Sequence, residues 1–170
     1  MERRDEMELG EIRRVSLPAF TVIGKEGKGL AAEGSSWVPL LWDGVNEHFE
    51  EIAANVFVEP EEIHLWGLMS DQSEWLYPWS EIGRYLAGMA VPNDTKVPLG
   101  WQKWEMPALE YFVIKTNEAN LADMTEKMLV EILPQNNVAL TAAIQEHYLP
   151  DFAPGEVELY FPISAVVSAI

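Results

Sequence analysis

One glutamate stands between an aliphatic and an aromatic residue near the end of the chain, in the segment Val138 to Tyr148. If this segment is a β-strand, Ile144, Glu146 and Tyr148 share one face, because side chains alternate along a strand. A carboxylate on such an apolar face needs a compensating partner, and a cationic ligand is one candidate. This spacing therefore suggests a site that binds a positively charged molecule.

The same segment is also compatible with an α-helix, since alanine, leucine, glutamine and glutamate favour helices. Leu140, Ile144 and Tyr148 would then form a buried stripe, and Glu146 would point into water. The residue types by themselves leave both alternatives open.

Composition excludes several classes of protein. The length of 170 residues fits one domain or two small halves that share a core. No apolar run reaches membrane-spanning length, and the amino terminus has no signal-peptide pattern. The absence of cysteine excludes disulfides, thiolate metal sites and thiol nucleophiles, and it fits a cytoplasmic location.

The net charge of −17 argues against direct nucleic-acid binding, which depends on clustered lysine and arginine. Such a field attracts cations, although most of the acidic residues are expected simply to maintain solubility. The three histidines, His48, His64 and His147, do not have metal-ligand spacing, so we expect no metal and no cofactor. Without a serine-hydrolase motif, the remaining enzyme hypothesis is acid–base catalysis by Glu146 with Tyr111 or Tyr148.

The order of elements predicts a repeat. A strand over 19–24, a glycine-rich loop over 24–34 and a helix capped by Ser36 come first. Strands over 63–70 and 83–91 follow as an antiparallel hairpin with a long connection, and residues 92–106 are expected to be a loop. A strand over 108–116, a helix capped by Asn120, the Glu146 segment and a last strand over 157–163 complete the chain.

The apolar residues of both predicted helices repeat at helical spacing and are expected to be core. The stripes are Leu41, Val45, Phe49, Ile52 and Val56 in the first helix, and Leu121, Met124, Met128 and Ile132 in the second.

The predicted fold is α+β, with two β-α-β-β halves over about 15–92 and 104–164 that form one curved, mostly antiparallel sheet. Each half has too few strands to bury a sheet face alone, so the halves are expected to join, with both helices on one face. The other face would remain open as a ligand groove unless something fills it. Residues 1–14 are expected to be a charged leader, partly disordered, before a single domain over 15–170.

Four segments carry a resemblance to a known family: 18–24 (PAFTVIG), 38–43 (VPLLWD), 97–108 (VPLGWQKWEMPA) and 156–163 (EVELYFPI). In order and spacing they resemble the GyrI-like small-molecule-binding family, the effector-binding domain of AraC-type and other drug-sensing transcription regulators. The resemblance implies a groove that takes lipophilic, often cationic molecules between aromatic rings, with a buried glutamate as counter-charge. The matching positions here are Gln145 to Tyr148, with Gln145 in place of the family's phenylalanine.

The resemblance also implies a strand rather than a helix around Glu146. A leader of 14 residues is too short for a DNA-binding domain, so we expect a stand-alone module, either monomer or homodimer. Relatives that hydrolyse cyclopropane-containing toxins suggest a second hypothesis, a hydrolase that uses Glu146. A third hypothesis is an acidic protein-interaction module that holds a basic partner.

Aromatic residues on predicted strands and in loops are candidates for the groove wall. The expected ligand-binding set is Glu146, Trp66, Tyr85, Trp101, Tyr111, Tyr148 and Tyr160, with Trp104 a further candidate. Trp75 and Trp79 are expected to form a lid or an oligomer contact. Trp37 and Trp42, at the start of the first helix, are expected to serve packing.

Overall fold

The computed structural model describes residues 7–54, 56, 59 and 62–165; the start of the expected leader (1–6) and the end of the carboxyl-terminal tail (166–170) lie outside them. The strands are β1 (Ile12–Leu17), β2 (Phe20–Leu30), β3 (Leu65–Asp71), β4 (Ile82–Val91), β5 (Gln102–Met106), β6 (Leu109–Asn117), β7 (Val138–Leu140), β8 (Gln145–Tyr148) and β9 (Glu156–Ala165). The helices are α1 (Gly34–Glu47), α2 (Phe49–Ala53), α3 (Leu121–Lys127), followed by a π-helical turn (Met128–Ile132), and α4 (Leu133–Gln135).

The predicted α+β class and the repeated β-α-β-β order are confirmed. The described strands form one antiparallel sheet in the order β1-β6-β9-β8-β3-β4-β2-β5, with β7 paired to β9. The first half contributes β2, β3 and β4, and the second contributes β6, β8 and β9. The two halves meet where β8 pairs with β3, which we call the seam.

Two strands were not predicted. Residues 12–14, expected in the leader, belong to β1, and residues 102–106, expected in a loop, form β5. β1 pairs with β6 of the second half, whereas β5 pairs with β2 of the first half. Each of these short strands forms its hydrogen bonds with a strand of the opposite half. The sequence around each segment gives no sign of that distant partner, so the two strands were not predicted.

These pairings bring the two ends of the sheet together. Leu17 lies opposite Leu109 in one ladder, and Phe20 lies opposite Met106 in the other. The chain passes between the ladders through Pro18-Ala19 on one side and Pro107-Ala108 on the other. Because proline interrupts a hydrogen-bonded ladder, these dipeptides bend the strands, and the sheet curls on itself.

The curled sheet has one core inside and two outside. The inner face carries a single cluster from both halves, which includes Leu86 of β4, Trp104 of β5, Tyr111 of β6 and Tyr160 of β9. On the outer face, the first helices pack over β2, β3 and β4, and α3 packs over β6 and β9, as separate clusters. The helices therefore lie on one face, as predicted, but the opposite face is filled by the protein's own side chains and is not an open groove.

The glycine-rich segment after residue 24 is part of β2, which pairs with β4 as far as Leu30. The loop prediction was wrong because these glycines allow close packing rather than flexibility. A β-carbon on Gly29 would lie 2.6 Å from Nε1 of Trp37, and one on Gly27 would lie 2.9 Å from Leu41. The missing side chains let α1 settle on the strand.

The helix stripes are confirmed, but both predicted caps were wrong. Val45 and Ile52 are each 1% exposed in the outer core of the first half. The first helix begins at Gly34, and Ser36 donates a hydrogen bond to the Glu33 carbonyl. In the second half, the side chain of Asn117, rather than Asn120, accepts the capping hydrogen bond from the Asn120 backbone at 3.1 Å.

The loop between β3 and β4 is fixed by Asp71. Its carboxylate accepts hydrogen bonds from the backbone and hydroxyl groups of Ser73 and Ser80. These bonds, which outweigh the effect of burial, hold the pKa of Asp71 well below its usual range.

Among the described residues, every helix is too short or too polar to span a membrane.

We predict that Asp71→Asn lowers the urea midpoint at neutral pH, since an amide cannot accept all four bonds. With a depressed pKa in the folded state, the stabilisation is complete above the unfolded pKa of about 4 and is lost as pH falls below it. The variant should therefore lose less stability on acidification than the wild type. Glu74→Gln, in the same loop, is the control, and an equal midpoint for the two variants would contradict the prediction.

Candidate functional site

A cavity of about 710 Å³ lies on the helix-bearing face, above the seam. Its floor is formed by β4, β8 and the start of β9, and its walls by α1 and the segment 149–155. The lining residues include Val38, Pro39, Trp42, Asp43, Met69, Trp79, Tyr85, Glu118, Leu121, Glu146, Tyr148, Leu149, Phe152 and Glu156. The volume falls in the range of drug-sized ligand sites.

Glu146 is on β8, so the strand alternative for this residue is correct. The predicted single strand is divided, since β7 and β8 are separated by the bend over 141–144. β8 faces the cavity with Glu146 and Tyr148, while Gln145 and His147 face inward. Gln145 both accepts from the Met69 amide at 2.6 Å and donates to its carbonyl at 3.1 Å, which holds β8 on β3.

Two tyrosines donate hydrogen bonds to the same oxygen of Glu146. Oε1 lies 2.6 Å from the Tyr85 hydroxyl and 3.2 Å from the Tyr148 hydroxyl. Tyr85 in turn accepts a hydrogen bond from Nε1 of Trp42 at 2.9 Å. The first of these bonds crosses the seam, because Tyr85 belongs to β4 of the first half.

The carboxylate of Glu146 has no cationic partner among the described residues. Within the described part of the chain, no lysine, arginine or histidine forms a salt bridge with this carboxylate, whereas the buried Glu158 lies 2.7 Å from His147. Among the described residues, the cavity lining contains four carboxylates and no basic side chain. Lys115, which is not a lining residue, lies 3.7 Å from Glu156, away from the Tyr85–Glu146 pair. A carboxylate in this setting is electrostatically incomplete, and a bound cation would complete it.

The pKa shifts follow from this geometry. Burial raises the pKa of Glu146, and the hydrogen bonds from Tyr85 and Tyr148 partly oppose that rise. Burial also raises the pKa of both tyrosines, and the nearby Glu146 charge raises it further. The tyrosines consequently remain protonated donors at any physiological pH.

Aromatic rings surround the carboxylate. The Trp42 ring stands edge-on to Tyr148 at 5.4 Å and to Tyr85 at 6.4 Å. Farther out, Trp79 stacks on Trp37 at 5.4 Å and lines the cavity near the start of α1. Ring faces of this kind attract a lipophilic cation both by apolar contact and by cation–π interaction.

Gly67 of β3 lies under the Tyr85–Glu146 hydrogen bond. A β-carbon there would be 1.8 Å from the Tyr85 hydroxyl and 2.8 Å from Oε1 of Glu146. Only glycine leaves room for both groups at this position. Sequence analysis missed its role, although a glycine inside a predicted strand is a known sign of close approach.

Three predicted ligand-binding residues lie on the inner face instead. Inside the curl, the ring of Tyr160 contacts both Trp66 and Tyr111, with centroid distances of 4.9 Å and 5.3 Å. Burial raises the pKa of Tyr111 to about 12. The sheet separates all three from Glu146, so Tyr111 cannot assist Glu146 in catalysis.

The remaining tryptophans, which were predicted to lie in loops, are found on both the inner and the outer face of the sheet. Trp101 packs under Lys25 and donates a hydrogen bond to Glu51 at 2.9 Å, away from the cavity. Trp104 is in the inner core against Trp75, with ring centroids 5.0 Å apart. Of the predicted lid pair, only Trp79 therefore reaches the cavity.

Trp42 is the aromatic wall residue that sequence analysis assigned to packing. Val38 and Trp42 are four residues apart, so they lie together beside the predicted stripe on α1. This makes the apolar face of the helix wider than one sheet contact requires, and that width was the signal available in the sequence.

Within the described ranges, one group of side chains is close enough to share a metal ion: His48, Glu50 and Glu51. His48 lies just before α2 and the two glutamates lie on it, and all three are exposed and do not line the cavity.

The chain belongs to the GyrI-like small molecule binding domain family, whose sequence profile matches residues 10–164. This confirms the resemblance seen in the four sequence segments. A search of curated protein sequences found no significant match.

Solved structures share the fold at low sequence identity. The EcmrR C-terminal domain is 16% identical with a TM-score of 0.63, over 94% of this chain and 100% of that one. SAV2435 bound to tetraphenylphosphonium is 10% identical with a TM-score of 0.64, over 91% and 94% of the two chains. A hydrolase encoded by lin2189 from Listeria innocua is 10% identical with a TM-score of 0.51, over 92% and 93%.

Proposed function

We propose that this protein binds lipophilic cations in the cavity above the seam, with Glu146 as the counter-charge. The observation that carries the proposal is a carboxylate at the floor of an aromatic cavity whose lining, over the described residues, contains no basic side chain. Oε1 is held by two tyrosines, which leaves the second oxygen without a hydrogen bond from the described residues. A cation would meet both a fixed charge and the ring of Trp42.

The apolar residues of the cavity lining favour a lipophilic ligand over a hydrated ion. Val38, Pro39, Leu149, Phe152 and Trp79 give the wall an apolar surface. An apolar ligand surface displaces water from such a wall, while the single positive charge settles at the floor. SAV2435, which shares the fold, was solved with tetraphenylphosphonium, an ion of this chemistry. We propose that the protein senses or sequesters such molecules.

Tetraphenylphosphonium tests the proposal because its charge is shielded by four phenyl rings. We expect saturable binding by calorimetry and quenching of tryptophan fluorescence, since Trp42 and Trp79 line the cavity. Triphenylphosphine oxide, which is neutral, should bind at least about tenfold more weakly, and the tetraphenylborate anion should not bind. Equal affinity for the cation and the neutral analogue would contradict a role for charge.

A second candidate function is hydrolysis of a reactive electrophile, with Glu146 as general base. Its support is the raised pKa of Glu146 and the position of Tyr85 and Tyr148 as hydroxyl donors beside it. In that case Tyr85 and Tyr148, rather than Tyr111, would assist. Turnover that disappears in Glu146→Gln would favour this function over binding alone.

A further inference from the structure

Three polar side chains form a hydrogen-bonded chain on the inner face, directly behind Glu146. His147 follows Glu146 in β8 and is only 1% exposed. Its Nδ1 lies 2.7 Å from Oε1 of Glu158 in β9, and its Nε2 lies 2.9 Å from Nδ1 of His64, which precedes β3. Glu158 is 3% exposed, so the chain leads from a buried carboxylate to the half-buried His64.

This chain crosses the seam on the side opposite the cavity. His64 belongs to the first half, whereas His147 and Glu158 belong to the second. β8 has four residues, and it makes three residue pairs with β3 and three with β9. With so few backbone pairs, side-chain bonds contribute a large share of the attachment of β8 to its neighbours.

One proton position follows from the partners. A carboxylate only accepts, so Nδ1 of His147 donates to Glu158, while the direction of the bond between Nε2 of His147 and Nδ1 of His64 depends on the protonation of the two rings. Rings fix the orientation of His147: Trp66 lies 4.5 Å from it and His64 5.1 Å, measured between ring centroids. The two ring nitrogens of His147 therefore connect β8 to both of its neighbours: Nδ1 bonds to Glu158 in β9, and Nε2 bonds to His64, just before β3.

We infer that His64, His147 and Glu158 are positioning residues that keep Glu146 within hydrogen-bonding distance of Tyr85. Glu146 and His147 are adjacent in one short strand, so a displacement of β8 from β3 moves both. The outer bond from Tyr85 to Glu146 spans the same seam and requires its 2.6 Å separation. The inference rests on the proposed function only where Glu146 is taken as the counter-charge of a ligand.

A ligand-free measurement can detect this role. The groups that face Glu146 are Tyr85 from β4 and Tyr148 from β8. The other acids that line the cavity are Asp43, Glu118 and Glu156, and Lys115 of β6 pairs with Glu156 at 3.7 Å. The tyrosine bonds lower the pKa of Glu146 against the effect of burial. If the inner chain is broken and Tyr85 separates from Glu146, the carboxyl should therefore titrate at a higher pH.

The experiment compares His64→Leu with His64→Asn. Leucine removes the hydrogen-bonding ring nitrogen, whereas the asparagine amide can occupy the place of Nδ1 and either donate to His147 or accept from it. Glu146 is followed by carbon-13 NMR of labelled glutamate, and its signal is identified by its absence in Glu146→Gln. We expect the titration midpoint in His64→Leu to rise by about half a pH unit and the affinity for tetraphenylphosphonium to fall about threefold to tenfold, with both largely restored in His64→Asn.

The possible outcomes separate this inference from the proposed function. An unchanged Glu146 midpoint in His64→Leu overturns the inference, and so does an equal shift in both variants, which would indicate ring packing instead of the hydrogen bond. If the wild type does not bind tetraphenylphosphonium but the midpoint shifts as expected, the proposed function fails and the positioning role stands. His147→Asn, which keeps a donor for Glu158 and loses contact with His64, should repeat the shift if His64→Leu folds poorly.

Discussion

Glu146→Gln should weaken tetraphenylphosphonium binding by about 100-fold, or roughly 3 kcal/mol, because it removes the charge that faces the cation at a half-buried position from which the ligand would displace water. Glutamine has the same shape and can still accept the hydrogen bonds from Tyr85 and Tyr148. The folded structure should therefore be retained, and its stability should be equal or higher, since the wild type keeps an uncompensated carboxylate at this position. Calorimetry and thermal unfolding measure the two effects.

The matched control is Glu118→Gln. Glu118 lines the same cavity but is exposed, so solvent screens its charge, and we expect a change in affinity of less than about threefold. Similar losses in both variants would indicate a diffuse effect of the acidic surface instead of a specific counter-charge.

The pH dependence of binding gives an independent check on Glu146. Its pKa is raised, so the carboxylate is neutralised on acidification at a higher pH than an exposed glutamate. Wild-type affinity should fall toward low pH, whereas Glu146→Gln should show a flatter profile, because tetraphenylphosphonium has no titratable group.

The stability of the fold should depend on the protonation of Glu146 in the opposite direction from ligand affinity: protonation of this carboxyl on acidification weakens binding but stabilises the folded protein. The folded state holds this proton more tightly than the unfolded chain does. The destabilisation from Glu146 is therefore absent below the unfolded pKa and complete above the folded pKa.

Gly67→Ala should destabilise the fold by about 2–3 kcal/mol and reduce tetraphenylphosphonium binding at least tenfold. The added methyl group would lie 1.8 Å from the Tyr85 hydroxyl, too close for either group to stay in place. Tyr85 would have to leave Glu146, or β3 would have to move from β4. Urea unfolding and calorimetry report the two consequences.

Gly44→Ala is the control for this substitution. Gly44 is inside α1, and its nearest contact for a new β-carbon is Cγ of Lys25 at 3.7 Å, an ordinary distance. Alanine there should stabilise the helix by up to about 1 kcal/mol without an effect on binding. Retention of wild-type affinity in Gly67→Ala would show that the Tyr85–Glu146 bond is not required for the site.

Relations within one element were predictable from the sequence. Once the family resemblance favoured a strand over a helix, alternation placed Glu146 and Tyr148 on one face, and helical spacing identified the stripe that includes Val45 and Ile52. These patterns depend on a few adjacent residues and on the fixed geometry of strand and helix. The repeat of β-α-β-β order followed from the same local signals.

Relations between distant elements came only from the tertiary structure. Tyr85 meets Glu146, 61 positions further along the chain, because β8 pairs with β3 and β3 with β4. The sequence did not show which face would be closed, since that depends on β1 and β5 pairing with the opposite halves and curling the sheet. Trp66 and Tyr111 consequently became inner core, and Trp42 became the wall of the cavity. Alternation determines which residues share a face, but the curvature of the whole sheet decides which face is closed by the protein's own core and which keeps a cavity.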